Sequence, residues 1–215
     1  FGSPSQVLRQ FMSPPKASRV RDAIEQLYRV GATTANSEDA EVTALGETAT
    51  RLPVDLPLCK LITLGASMGA LNAAIIMAAA LSQQDVFGMP MALFLKDTKE
   101  FTKEIAANFA SRSRFDAGQY SEPLMYLRVY RAWLASSRDQ YWCKRNRINM
   151  VRMKMMDSCV STLASSSTHL LQQHGLIPDL LNKLEESASK RTHGRTLDKE
   201  AQVIVQDGDS SILYC

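Results

Sequence analysis

Eight basic side chains, Arg128, Arg131, Arg138, Lys144, Arg145, Arg147, Arg152 and Lys154, fall in one segment whose single acid is Asp139. That segment carries +7 in a chain whose net charge is +3, so the remainder is acidic on balance. A concentrated positive patch is what a polyphosphate partner requires. The plainer reading of the same residues is a solvated helix face. Aromatic residues Tyr126, Tyr130, Trp133, Tyr141 and Trp142 interleave with the basic stretch. Such rings stack on nucleobases for about 1–3 kcal/mol per base. Tyr130 and Trp133, however, sit at core-like helical positions and are expected to pack inside. Met150, Met153, Met155 and Met156 lie beside the same charges, and adaptable core packing accounts for them.

Other chemistries are missing. No GxxxxGK[ST] loop and no GxGxxG after a strand occurs, so nothing cradles a nucleotide. Neither a GxSxG elbow nor an HExxH motif is present. Asp22/Glu25 and Glu185/Glu186 are carboxylate pairs on helices with basic neighbours, and read as solvated ion pairs. His169 and His174 are off-face from each other on a helix, and with His193 they are too scattered for a zinc module. Cys59, Cys143, Cys159 and Cys215 show no CxxC spacing, which favours a reducing, intracellular compartment. Nothing here reads as catalytic, and neither a metal nor a cofactor site is expected in this chain.

The elements that must position the basic segment are helices. The chain has 215 residues, of which 45% are hydrophobic and 22% charged, enough for an extensive core. No secretory signal opens it. The nearly uncharged run from Leu61 to Gln84 breaks at Ser67-Met68-Gly69, so it reads as two buried helices and not as a membrane span. Ser18 is expected to cap a helix with Val20, Ile24, Leu27 and Tyr28 on one stripe, ending before Gly31. A polar hairpin-like excursion follows, then a short helix capped by Thr43. Helices are expected over 56–66 and 70–82. Asp97 then caps a helix striped by Phe101, Ile105 and Phe109. Ser121 caps the next, with Leu124, Leu127 and Leu134 inward. Asn149 opens a long one, with Val151, Met155, Cys159 and Leu163 at near-helical spacing and an end at Gly175. Residues 178–189 add a further helix, and 203–205 with 212–214 read as extended. The first part, a helix, an excursion and a short helix, has the shape of a winged-helix module.

Five segments taken together resemble one family. They are "PPKASRVRDAIEQLYRVGA", "VTALGETATRLPVDLPLCKLI", "GALNAAIIMAAALSQQDVF", "YSEPLMYLRVYRAW" and "YWCKRNRINMVRMKMM". In this order they resemble the helicase-associated region of DEAH-box RNA helicases, with Arg147-Ile148-Asn149-Met150 most similar to the RNA helicase A/maleless subgroup. The resemblance covers about residues 1–180. It departs from the family at Glu122-Pro123, where Asp-His is usual after the serine, at Val86, where proline is usual, and at Leu56-Pro57, where the proline is displaced by one.

The resemblance implies a mainly α fold: a winged-helix-like unit at 1–54, a ratchet-like helical bundle at 55–189, and a tail or the start of a truncated OB-fold at 190–215. It implies a C-terminal fragment whose parent supplies the RecA-like motor domains, with ATP and magnesium bound there, followed by an OB-fold. The expected role is non-catalytic: helping to form a single-stranded RNA channel beside that motor. Arg128, Arg131, Lys144, Arg145, Arg147, Arg152 and Lys154 are the candidate RNA contacts. In a continuous helix Arg145/Arg152 and Arg147/Lys154 form two separate rows, so the seven cannot share one groove. Expected partners are single-stranded or structured RNA, the parent's own RecA-like and OB-fold domains, and ribonucleoprotein proteins, with no membrane. Nucleus, cytoplasm and mitochondrion all stay open. A motor-less interaction scaffold docked in a ribonucleoprotein complex is the alternative.

Overall fold

The computed structural model describes residues 2–88 and 98–173, and these are mainly helical, as the sequence leads one to expect. In chain order the helices are α1 (Pro4–Leu8), α2 (Ala17–Val30), α3 (Ala44–Arg51), α4 (Leu56–Ser67) and α5 (Leu71–Ser82). They continue with α6 (Thr98–Asp116), α7 (Glu122–Ala135), α8 (Gln140–Arg145) and α9 (Met150–Gln173). The expected cap at Asp97, the helix end at Gly175, the helix over 178–189 and the extended pieces after 203 lie outside the described residues. None of the described helices is long and apolar enough to cross a membrane.

α5 is the central helix. Its Ala73, Ile76 and Ala80 join one core with Val86, Phe87, Met125, Val129, Trp133, Cys143, Ile148, Met153 and Met156. Its Ile75, Ala78 and Ala79 join a second with Leu52, Cys59, Ile62 and Leu163. α5 and α9 therefore belong to both cores, which makes one continuous packing of α3, α4, α5, α7 and α9. The alanines that line α5 permit close approach. At the α4–α5 crossing a Cβ on Gly65 would lie 2.3 Å from the Ala74 Cβ.

The polar excursion between α2 and α3 is pinned by an antiparallel bridge from Thr33 to Val42. Thr43 caps α3 as expected: its hydroxyl accepts from the Gly46 amide and donates to the Gly31 carbonyl at 2.7 Å. α2 starts two residues earlier than expected, after Lys16, and Ser18 lies inside it. Val20 is buried, but Leu27 and Tyr28 are 38% and 47% exposed. The helix lies at the edge of the molecule, touching α1 and α4, so only the start of its stripe is covered.

Two further stripes differ from expectation. On α6 the buried positions are Asn108 and Ser111, while Phe109 is exposed. That inner face meets irregular backbone, which needs donors more than it needs hydrocarbon. Asn108 Nδ2 donates to the Gly88 carbonyl at 3.0 Å, and Ser111 Oγ to the Asn146 carbonyl at 2.7 Å. On α9 the buried row is Met153, Met156 and Leu163, while Val151 and Met155 are exposed. The start of α9, Met-Val-Arg-Met-Lys-Met-Met, carries apolar residues on two faces, so spacing alone did not select the inner one.

Candidate nucleic-acid interface

Three short stretches set the basic segment: the end of α7, the whole of α8 and the start of α9. The Asp139 carboxylate caps α8, accepting from the Tyr141 and Trp142 amides at 3.0 Å each. The inner face of α8 is Trp142, packed on Phe115 with ring centroids 5.8 Å apart, and the buried Cys143. Burial raises the Cys143 thiol pKa, and the Asp139 charge adds to this; the thiol stays protonated and packs as a small apolar group.

After α8 the chain turns sharply. The Ile148 amide reaches back to the Cys143 carbonyl at 2.9 Å, and the Asn149 amide donates to the Val86 carbonyl at 2.8 Å. Asn149 Oδ1 then caps α9, accepting from the Val151 and Arg152 amides. Asn146 is buried in this turn and bonded by Arg114. α8 and α9 are separate helices, so the two seven-residue rows expected for a continuous helix do not exist.

The seven candidate residues separate into two groups. Arg128 donates to the Phe115 and Asp116 carbonyls at 3.1 and 2.6 Å, closing the C-terminal end of α6 where a cation is favoured. Arg147 pairs with Glu104 of α6 at 3.0 Å. Arg152 donates to the Asp85 carbonyl at 2.7 Å and so ties α9 to the loop after α5. Arg131, half-buried on α7, is engaged with its own surroundings. Lys144, Arg145 and Lys154 are exposed and have no hydrogen-bond or ion-pair partner among the described residues. Arg138, outside the seven, lies over the Trp133 ring at 5.7 Å and 3.5 Å from the Asp157 carboxylate.

Asp85 is a centre that spacing did not reveal. Its carboxylate pairs with Arg112, lies 3.0 Å from the Tyr126 hydroxyl and accepts from the Phe87 amide at 2.9 Å. Arg112 also covers the Phe87 ring at 4.9 Å. The Tyr126 hydroxyl, also 3.0 Å from Glu122, is pushed up to about 12 by burial first and by Glu122 second, so it serves as a neutral donor. Tyr130 is likewise raised, by burial and by Asp157, to which it donates at 2.6 Å. The available signal was an isolated acid in the polar run Gln83-Gln84-Asp85 just before buried Val86-Phe87. Neither tyrosine is poised for acid–base chemistry near neutrality, and no group of three His, Cys, Asp or Glu among the described residues could hold a metal ion.

Asp116 gives a pH test of the same framework. Its carboxylate accepts from the Tyr120 and Ser121 amides at 2.9 and 3.0 Å, and the Tyr120 bond is the largest cause of its lowered pKa. Because the folded value is depressed, this anchoring is complete above the ordinary 3.8 and is lost as pH falls through the lower folded value. In an amide NMR titration, Tyr120 and Ser121 are expected to shift with a midpoint below 3.8. A midpoint at or above that value would show that the carboxylate does not hold the turn.

No protein-family model matches this chain. It is 30% identical over 200 residues to the DExH-box ATP-dependent RNA helicase DExH3 of Arabidopsis thaliana, covering 92% of this chain and 15% of the relative. It is 30% identical over 168 residues to the ATP-dependent RNA helicase TDRD9 of Danio rerio, covering 72% and 12% respectively. To the probable ATP-dependent RNA helicase spindle-E of Drosophila erecta it is 30% identical over 195 residues, covering 85% and 13%. The chain thus spans between 12% and 15% of the length of these relatives.

Proposed function

We infer, for a chain whose homologues are DExH-box ATP-dependent RNA helicases, that it is a non-catalytic accessory region of such a helicase. In this reading residues 1–54 form the winged-helix-like unit and 55–189 the helical bundle, with 190–215 leading toward an OB-fold. The bundle helps to wall a single-stranded RNA channel beside a RecA-like motor that binds ATP and magnesium elsewhere in the parent protein.

One observation carries the RNA part of the reading. In a segment of charge +7, Lys144, Arg145 and Lys154 keep their charges in solvent with no partner among the described residues, whereas Arg128, Arg147 and Arg152 are spent on the frame. Phosphates are bound by cations that displace condensed counterions, and an arginine already bonded to protein carbonyls or carboxylates has less to offer. Lys144, Arg145 and Lys154 are therefore the phosphate contacts, and the other candidates hold them in place.

The test is the salt dependence of single-stranded RNA binding. Each phosphate neutralised contributes about −0.7 to the slope of log affinity against log salt, so losing two contacts flattens it by roughly 1.4. Lys144→Ala with Arg145→Ala is expected to flatten the slope by that amount. Arg147→Ala with Arg152→Ala is expected to leave the slope unchanged while lowering the melting temperature. Unaltered slopes in both double variants, with folding intact, would remove the basic segment from the RNA site. The chain alone is further expected to release no phosphate from ATP, with or without RNA, since it carries none of the motifs that position a transferring phosphoryl group. RNA-stimulated turnover in a preparation freed of contaminating ATPases would overturn the accessory role.

A further inference from the structure

Tyr141, Lys144 and Arg145 occupy positions i, i+3 and i+4 of α8 (Gln140–Arg145), and so project from one side of it. All three are exposed, Tyr141 by 76%, and none of their side chains has a hydrogen-bond or ion-pair partner among the described residues. The opposite side of the same helix is fixed. Trp142 packs on Phe115, Cys143 is buried, and Asn146 is bonded from α6 by Arg114, while Ser111 donates to its carbonyl. Asp139 uses both carboxylate oxygens to cap the first turn, at the Tyr141 and Trp142 amides. The nearest acid in sequence is thereby committed to backbone, and Glu104 of α6 to Arg147. An aromatic ring thus stands in solvent on a rigid six-residue helix, next to two unneutralised cations.

We propose that Tyr141 is a base-stacking platform for single-stranded RNA, with Lys144 and Arg145 holding the phosphates that flank the stacked base. The proposal rests on the RNA-channel reading above and adds to it a selection rule. A ring face binds any unpaired base, and it has nothing to bind in a duplex, where both base faces are already stacked. Cations alone would accept either form of RNA; the ring makes this face prefer strands that have already been separated.

The experiment compares Tyr141→Ala, Tyr141→Phe and the Lys144→Ala/Arg145→Ala pair in the full 215-residue chain. The probes are a single-stranded oligoribonucleotide and an abasic RNA backbone of the same length. Tyr141→Ala is expected to lose roughly 5- to 150-fold in affinity for the base-bearing strand, to bind the abasic strand like the unaltered chain, and to melt unchanged because the ring is exposed. Tyr141→Phe is expected to keep the affinity. An equal loss on both probes, no loss on either, or a loss shared by Tyr141→Phe would overturn the stacking role. If Tyr141→Ala is silent while the lysine–arginine pair still flattens the salt slope, this proposal falls and the channel reading stands. A slope unmoved by the pair sinks the channel reading itself, and the stacking proposal with it.

Discussion

Replacing Trp133 with alanine is expected to cost about 3–5 kcal/mol, a large part of the 5–15 kcal/mol that typically separates a folded domain from its unfolded chain. Trp133 is 1% exposed in the core shared by α5, α7 and α9. Its ring meets Tyr130 with centroids 6.1 Å apart, and the Arg138 guanidinium covers it at 5.7 Å. Truncation leaves a cavity in a cluster whose other members, Val129, Cys143, Met153 and Met156 among them, are already almost fully buried, and the two methionines can refill only part of it. Trp133→Phe, which keeps a ring, is expected to lose less than the alanine variant. Urea unfolding followed by far-UV circular dichroism measures both. An alanine variant with an unshifted midpoint but weakened RNA binding would move this ring from the core to the interface.

Gly65→Ala is expected to destabilise the chain by about 1–3 kcal/mol, the usual cost of overpacking a tight core. Helix propensity predicts the opposite sign, since alanine is favoured over glycine in a helix interior by about 1 kcal/mol. The contact decides between them. The new Cβ would lie 2.3 Å from the Ala74 Cβ, and neither atom is the end of a flexible side chain, so α4 and α5 have to separate. The reciprocal double variant, Gly65→Ala with Ala74→Gly, moves the methyl from one helix to the other and is expected to recover much of the loss. Thermal melts of the three proteins check this. A Gly65→Ala chain that melts higher than the unaltered one would mean that the two helices do not cross this closely.

The helices were legible because their ends carry strong local signals. Thr43 caps α3, Pro57 and Pro123 stand in the first turns of α4 and α7, and the Ser67–Gly69 break divides α4 from α5. The inner faces were less legible where irregular backbone sets part of the demand, as on α6, and where apolar residues lie on two faces, as at the start of α9. α6 turns Asn108 and Ser111 inward because the loop at Gly88 and the turn at Asn146 need donors, a demand set by residues 20 and 35 positions away. The basic segment was visible as a charge excess, but charge alone does not say which cations are engaged. Arg147 and Lys154 read alike in sequence; Glu104 of α6 is what separates them. Tyr141 and Trp142 are adjacent rings with opposite fates, since a short helix capped by Asp139 turns one outward and the other against Phe115.

In the proposed function, RNA meets this chain on α8 and the start of α9. The most direct measurement is photocrosslinking of a single-stranded RNA carrying 4-thiouridine to the full 215-residue chain, with the joined peptides located by mass spectrometry. Crosslinks are expected between Gln140 and Lys154, lost on Lys144→Ala with Arg145→Ala and competed away by salt as counterion release requires. Crosslinks confined to residues 1–54, or binding that leaves the 140–154 peptides untouched, would mean that RNA does not bind at α8 and the start of α9.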